Sequence, residues 1–458
     1  MNQIKKIFLK NSENNFFIFR NEKPLTYKAV LTKALSYGEG LERKSGSLKN
    51  KIIFVKSNRS QKFFITIISL FLLECIVIPI SSKITNKELL YLRKKYRPFI
   101  ELNGEESFSE TNFSKKNKQK KVSLKKSKII FFTSGTTGQP KGITHNIHNL
   151  LQSAKSFSKL ANYTKKDLVL HNWPHYYMAG IFNMFLCPFV SGGKIFFDEE
   201  IGINSYLNYW KDLKKNKISI TYLSPTMAHA LISYSKYSKS KVKNIKTRII
   251  STGSYLYNST KNNFKKMFSK DLINCYGITE VGGSISLATN KNKDPGSIGE
   301  LSRGVNLKIS KNNEILITSK YMFEGYLEDK AKKKKFNNSF FNSGDLGIKK
   351  NKDYILTGRS KEIIKKGGEA VSLLKIEDIA LNCKIVKDVI AKGIPSEFWG
   401  EDIEIKVVFT NFKKDNIEIF KRYLVEKLSR LEFPHKIEIV KSIPKTSIGK
   451  NYRQTFIN

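Results

Sequence analysis

Short, unbroken apolar runs alternate with longer amphipathic stretches along the first half of the chain. The runs at 52–55, 75–80, 129–132, 194–197 and 218–223 are bounded by turn formers, the pattern of strands buried on both faces. Helical stretches are predicted at 61–73, 86–97, 148–160 and 204–213, with Pro98 stopping the second. Strands alternating with helices predict parallel sheets covered by helices. Residues 63–80 form an apolar stretch of nearly membrane-spanning length, but Glu74 and Pro79 interrupt it. A central carboxylate costs roughly 2.5–3.5 kcal/mol on insertion scales, so the stretch reads as a buried helix and strand, with no membrane span.

Near Gly296 the pattern changes. Residues 307–318 alternate as a hairpin turning at Asn312 and Asn313, and further strands are expected at 346–349 and 354–357. Gly358-Arg359-Ser360-Lys361 then leads into a smaller α+β unit. The expected architecture is α/β: a large N-terminal domain of stacked, parallel-rich sheets with a β-rich end, 1–360, and a small α+β C-terminal domain, 361–458.

Composition changes this picture little. Apolar content is 40%, ordinary for a globular protein. The net charge of +43 admits a nucleic-acid-binding reading. The lysines are spread along the chain, however, and do not form one arm or stripe. The densest run, Lys330 to Lys335, lies in a polar segment, and the Lys/Tyr interleaving from Ser233 to Lys239 is short. Cys75, Cys187, Cys275 and Cys383 are far apart with no CxxC pair, which predicts reduced thiols in a cytoplasmic protein. His171 and His175 have i,i+4 spacing, but Pro174 between them argues against a helical metal face, and His145 and His148 lack acidic or thiol companions. No secretion signal is visible.

The chemistry is concentrated in Lys128-Ile-Ile-Phe-Phe-Thr-Ser-Gly-Thr-Thr-Gly-Gln-Pro-Lys-Gly142. A strand ends in a loop in which Gly135 and Gly138 allow close approach of backbone to an anion, Thr133, Ser134, Thr136 and Thr137 offer hydroxyls, and Lys141 brings a charge. It is not the kinase-type phosphate loop, which needs Gly-Lys followed by Ser or Thr. The segment closely resembles the phosphate loop of the adenylate-forming ligases, the superfamily of acyl- and aryl-CoA synthetases, luciferases and peptide-synthetase adenylation domains.

Other segments extend the resemblance, in order, over nearly the whole chain. Asn274-Cys-Tyr-Gly-Ile-Thr-Glu280 is similar to the family's Tyr-Gly-x-Thr-Glu motif. The resemblance gives Tyr276 the base, Thr279 a phosphate and Glu280 the Mg²⁺; Gly277 belongs to the same nucleotide site. Thr252-Gly253-Ser254-Tyr-Leu256 fits the loop lining adenine and acid. Asp345, in Phe341-Asn-Ser-Gly-Asp345-Leu-Gly347, would bind both ribose hydroxyls, although Ser343 stands where Thr is usual. Arg359 would contact ribose or phosphate, Lys361 would be the hinge, and Gly367 and Gly368 would let a pantetheine arm pass. Lys450, in Ser447-Ile-Gly-Lys450, would be the adenylation lysine. Tyr177 and Gly180, after Pro174, would border the acyl pocket. Alone, Tyr276 would read as a core aromatic, Asp345 as a turn residue and Lys450 as a solvated tail residue.

The resemblance implies an enzyme, an AMP-forming acid–thiol ligase with a mobile C-terminal cap. It would use ATP, Mg²⁺ and, as thiol acceptor, CoA, acting on a small-molecule carboxylic acid. An acyl carrier protein's phosphopantetheine arm is the alternative acceptor. A basic nucleic-acid-binding protein on a ligase scaffold is the alternative of another class. No carboxylate stands near Pro174 to Gly180 to pair with an α-ammonium, so an acid without a nearby amine is expected. Three positions depart from the family pattern: Glu74 replaces a usual Gly, Ile147 a frequent His, and Tyr177 a frequent His.

Overall fold

In the computed structural model, the residues described are 2–20, 22–57, 61–103, 122–133, 141–199, 203–235, 242, 245–289, 292, 294, 296–327, 339–411, 413–446 and 451. Two mixed sheets make the body of the large unit. Six strands form one, in the order Gly325–Tyr326, Lys141–Asn146, Lys128–Thr133, Ile76–Ser81, Ile52–Ser57, Ile100–Leu102; the last four run parallel. The other has nine strands, with a parallel run through Leu272–Ile278, Arg248–Ser251, Ile220–Leu223, Leu168–His171, Lys194–Phe197 and Asn15–Phe19.

Burial on both faces explains the unbroken apolar runs. Ile53, Val55, Ile129 and Phe131 point into the main core, whereas Phe54, Ile78 and Ile130 point to the opposite face and meet Leu89 and Leu92 of the helix Asn86–Tyr96. That helix is capped by a reciprocal Thr85–Glu88 box and ends where Arg97 turns left-handed before Pro98. The helix Gln61–Leu72 is buried from Phe63 onward and bridges the two sheets; the Phe64 ring lies 4.5 Å from Phe185 and 5.4 Å from Phe197. Glu74 terminates it at φ 59°, its carboxylate taking the Ser123 N–H at 2.5 Å and Lys49 Nζ at 3.0 Å. The membrane-length stretch is thus core helix, acid-closed turn and strand. Among the described residues no helix is long and apolar enough to cross a membrane.

The β-rich end is a four-stranded antiparallel sheet, Val305–Ile309, Glu314–Ser319, Phe341–Lys350 and Asp353–Arg359. Its first hairpin turns at Asn313, φ 59°, within the expected pair of asparagines. Beyond Arg359 a smaller sheet forms from Glu369–Ser372, Ile363–Lys366, Gly400–Phe409, Val386–Ser396 and Lys436–Ile439. The helices Leu373–Leu381 and Asn416–Lys427 belong with it, and Ile364, Val389, Ile405, Phe420 and Leu424 share a core separate from that of the large unit. The chain is therefore α/β, with a large sheet-rich N-terminal domain and a small C-terminal one.

One element differs from its sequence expectation. Lys141 and Gly142, expected to close the phosphate loop, instead open a strand that pairs antiparallel with Lys128–Thr133 from Thr133↔Lys141 to Lys128↔Asn146. Of residues 143–146, Ile-Thr-His-Asn, only the first is apolar, so no alternation marks a strand there.

Candidate active site

In open α/β sheets the crevice outside the carboxyl ends of the strands is where ligands bind. Here those ends bring together residues far apart in sequence. The strand Leu272–Ile278 delivers Tyr276 and Gly277, and a 3-10 turn at Thr279–Val281 follows with Thr279 and Glu280. A Cβ at Gly277 would lie 2.3 Å from the Gly283 carbonyl oxygen, so the return strand demands glycine there. The strand Arg248–Ser251 ends in Gly253, φ 98°, where a Cβ would also press on the Trp173 ring at 3.3 Å; Ser254 beside it is exposed.

Asp345 is the centre of the constellation. It is 2% exposed, and its carboxylate takes the Tyr276 hydroxyl at 2.7 Å on Oδ2 and Arg359 Nε at 2.5 Å on Oδ1. Burial, with Asp345 next, pushes the Tyr276 phenol well above its ordinary value, so it remains a donor. The turn before Asp345 is fixed by Ser343, whose hydroxyl donates to the Ile315 carbonyl at 2.6 Å and whose oxygen accepts the Asp345 N–H at 3.0 Å. The Ser in place of Thr thus has a defined backbone role.

Glu280 stands close enough to this pair for its charge to feel both Arg359 and Asp345, and burial raises its carboxyl above the ordinary value. The Tyr326 hydroxyl donates to Glu280 Oε1 at 3.3 Å, and Lys141 Nζ sits 5.5 Å from the centre of the Tyr326 ring. Lys361 joins the group: partial burial and the positive charges of Arg359 and Lys141 lower its ammonium below the ordinary value. Three cations, Lys141, Arg359 and Lys361, therefore converge beside two acids. Such a field suits an anion carried together with a divalent metal.

Sequence reasoning missed the residues that brace this site. His145 is fully buried; its Nε2–H donates to the Thr279 carbonyl at 2.7 Å, and burial lowers its pKa to about 4, so the ring is neutral. Glu324 takes Asn146 Nδ2 at 3.1 Å and Lys128 Nζ at 2.8 Å, tying the strands on either side of the phosphate loop to the segment carrying Tyr326. The spacing of His145 offers no metal set, and nothing local in sequence marks it as a brace.

The remaining sequence-predicted residues fall in several places. Tyr177 is half-buried with its ring 4.8 Å from Tyr176, and Gly180 is buried 2.6 Å, from an ideal Cβ, under the Pro174 carbonyl oxygen. His171 and His175 stack edge to face, 4.5 Å apart, within an aromatic cluster that includes Phe63 and Phe64. Gly367 and Gly368 form an exposed turn between the paired strands Ile363–Lys366 and Glu369–Ser372 of the small domain. Thr133 ends its strand; Ser134, Gly135, Thr136, Thr137, Gly138 and Lys450 lie outside the described residues, as do Lys330 to Lys335 and Lys236 to Lys239. All four cysteines are buried thiols.

Comparison with known proteins agrees with this geometry. The profile of AMP-binding enzymes matches residues 9–327, and that of the AMP-binding enzyme C-terminal domain matches 375–450. The mitochondrial malonate–CoA ligase ACSF3 of Mus musculus is 25% identical over 364 residues, 70% of this chain and 62% of that protein. The oxalate–CoA ligase of Arabidopsis thaliana is 26% identical over 341 residues, 71% of this chain and 66% of that protein. The matches thus span less than two thirds of these curated relatives. ATP-bound MatB from Rhodopseudomonas palustris superposes with a TM-score of 0.85 at 18% identity, over 98% of this chain and 97% of that one. With one profile running through the strands that carry Tyr276 and Glu280 and the other covering most of the small domain, the chain belongs to the family of AMP-binding enzymes.

Proposed function

We propose that this chain activates a small carboxylic acid with ATP and passes the acyl group to CoA. The observation that carries the reading is the cluster at Asp345, where Tyr276, Arg359, Glu280, Lys141 and Lys361 meet from four separate stretches of sequence. In the first half-reaction the substrate carboxylate attacks the α-phosphorus of ATP; the bond to the bridging oxygen breaks and pyrophosphate leaves. In the second, the CoA thiolate attacks the acyl carbon and AMP leaves with the electron pair.

Asp345 would hold the ribose while Arg359 and the Tyr276 hydroxyl fix its carboxylate. Thr279 and the loop from Thr133 to Lys141, with Ser134, Gly135, Thr136, Thr137 and Gly138, would hold the phosphates, and Gly253 and Ser254 would flank adenine and acid. A magnesium ion fits Glu280, a hard oxygen donor anchored by Tyr326 and destabilised as an anion by burial; bound there it would neutralise phosphate charge. Lys450 would stabilise charge at the reacting carboxylate and α-phosphate. The chain would divide at Lys361 into 1–360 and a cap, 361–458, that turns to bring Gly367 and Gly368 to the thiol. The four buried thiols suit a reducing compartment, and we place the activity in the cytoplasm.

The names of the relatives, malonate–CoA and oxalate–CoA ligases, make small dicarboxylic acids the first candidates. The test is incubation with MgATP, CoA and a pooled acid library including malonate, oxalate and aryl acids, read by mass spectrometry beside Lys450→Ala. Acyl-CoA and AMP that disappear in the variant support the reading. An acyl-adenylate without acyl-CoA moves the acceptor to a carrier protein, and no adenylate with any acid refutes the activity.

A further inference from the structure

The helix Leu373–Leu381 of the small domain carries two adjacent carboxylates that reach into the large one. Glu377 is fully buried; Oε1 accepts the Ala391 N–H within its own domain at 2.7 Å, and Oε2 accepts the Tyr257 hydroxyl across the boundary. Asp378 Oδ1 accepts the N–H of Ser259 at 3.0 Å. Ser259 is the second residue of the helix Asn258–Phe268, which has no side-chain cap of its own and no acid in its first turn. The orphan N–H groups and positive end of a helix attract a carboxylate. Here the other domain supplies it. A third contact lies nearby on the neighbouring helix Pro225–Tyr234, where His229 Nε2–H donates to the Lys387 carbonyl at 2.7 Å.

The large-domain half of this contact is continuous with the candidate site. Gly253, Ser254, Tyr255 and Tyr257 belong to one loop, and the Tyr255 and Tyr257 rings meet edge to face at 5.3 Å. The orientation held is also informative. The small domain presents Lys445 and Asn451, paired with each other and anchored on Asp388 and the Val389 carbonyl, next to the strand that His229 contacts. Among the described residues, a Cβ on Gly368 would meet nothing within 4 Å, and one on Gly367 would press on Trp399 of the same domain.

We propose that Tyr257, Glu377 and Asp378 form a docking latch that holds the small domain in its adenylating orientation. Its large-domain side is borne on the Gly253–Ser254 loop, so the contents of that loop bear directly on docking. Tyr257, Glu377 and Asp378 are positioning residues that act through the segment carrying Lys450. Undocking exposes the Glu377 and Asp378 carboxylates to water, which replaces the lost hydrogen bonds, so the latch favours the docked orientation by a modest margin that the loss of one contact can erase. Identifying the held orientation as the adenylating one rests on the function proposed above; the latch itself does not.

The test uses the full chain with spin labels at Leu90→Cys and Phe398→Cys, both highly exposed, while the four native thiols are buried. Without ligands the labelled parent should give one narrow distance distribution. Asp378→Ala and Tyr257→Phe should each broaden or split it, moving roughly half of the molecules out of the narrow population, as expected when the favoured state loses the contacts that gave it its margin and the two states come into balance. Asp378 lies at the domain surface, so that variant tests the latch even if Tyr257→Phe fails to fold. An unchanged distribution in folded Asp378→Ala overturns the latch, whatever the catalytic result. In the same variants ATP–pyrophosphate exchange should fall about tenfold while thioester formation from supplied acyl-adenylate is retained. An equal fall in both half-reactions overturns the assigned orientation. A parent that makes no adenylate would show that the proposed activity has failed, while the distance measurement still decides the latch.

Discussion

The Asp345 cluster and the Gly367–Gly368 turn differ in how finished they are. Asp345 is buried, and its two oxygens are occupied by groups from two other strands, themselves fixed by Ser343 and the sheet. The glycine turn of the small domain is exposed, and a Cβ on Gly368 would meet none of the described residues within 4 Å. Under the proposed function, the Asp345 cluster would bind the same nucleotide in both half-reactions and can be preorganised, whereas the glycine turn would serve only one and has to be movable.

Four substitutions would break or sharpen that contrast. The largest effect is expected from Lys450→Ala, which should lower adenylation by a factor of about 10²–10³, the loss typical of one transition-state donor, with ATP affinity little changed. Its mirror image is Gly368→Val, which should spare ATP–pyrophosphate exchange and lower thioester formation by roughly tenfold or more if the turn must admit a pantetheine arm. A Gly368→Val protein impaired equally in both steps would erase the distinction between the regions.

Asp345→Ala tests the preorganised side. It leaves the buried Tyr276 hydroxyl and the Arg359 guanidinium without their acceptor, at a cost of about 1–3 kcal/mol. Both half-reactions should suffer, with the KM for ATP rising most. A defect confined to the second step would contradict a nucleotide-holding role.

The smallest effect concerns His145. Its folded-state pKa, about 4, lies below the ordinary 6.5, so the unfolded chain binds the extra proton in between. Its contribution is present in full above pH 6.5 and is lost as the pH falls through 4, by roughly 3 kcal/mol in total. His145→Gln, which keeps a donor for the Thr279 carbonyl, should flatten the decline of melting temperature across that window. A slope identical to that of the parent protein would remove His145 as the acid-sensitive brace.

The large parallel strands were legible because burial on both faces writes itself as unbroken apolar sequence; Ile129, Ile130 and Phe131 alternate between two cores and are all apolar. The hairpin at Asn313 was legible for the opposite reason, since one face is wet. The strand Lys141–Asn146 escaped because its pairing is set by a partner across the loop and by Gly325 and Tyr326. Among site residues, Tyr276, Glu280, Asp345 and Arg359 were marked by short motifs; the structure adds that Tyr276 and Arg359 both bond Asp345 and that Glu280 stands within reach of their charge. Tyr257, Glu377 and His145 carry no local mark, because the bonds that give them their roles, Tyr257 to Glu377 and His145 to Thr279, join residues more than a hundred positions apart.

Thr133 and Lys141 are cross-strand neighbours at the last rung of an antiparallel ladder, so the seven residues 134–140 span a gap whose width the sheet dictates. Insertions are therefore tolerated unequally along the chain. An added residue between 134 and 140 lengthens a loop whose ends stay put, which costs little. The same residue added after Gly142 slips the register by one and turns Ile143 and His145 to the opposite, also buried, face, away from the core they fill and from the Thr279 carbonyl. A library of length variants over 130–146 should thus show tolerance stopping abruptly at the rung, a boundary that comes from the ladder and not from the chemistry of the loop.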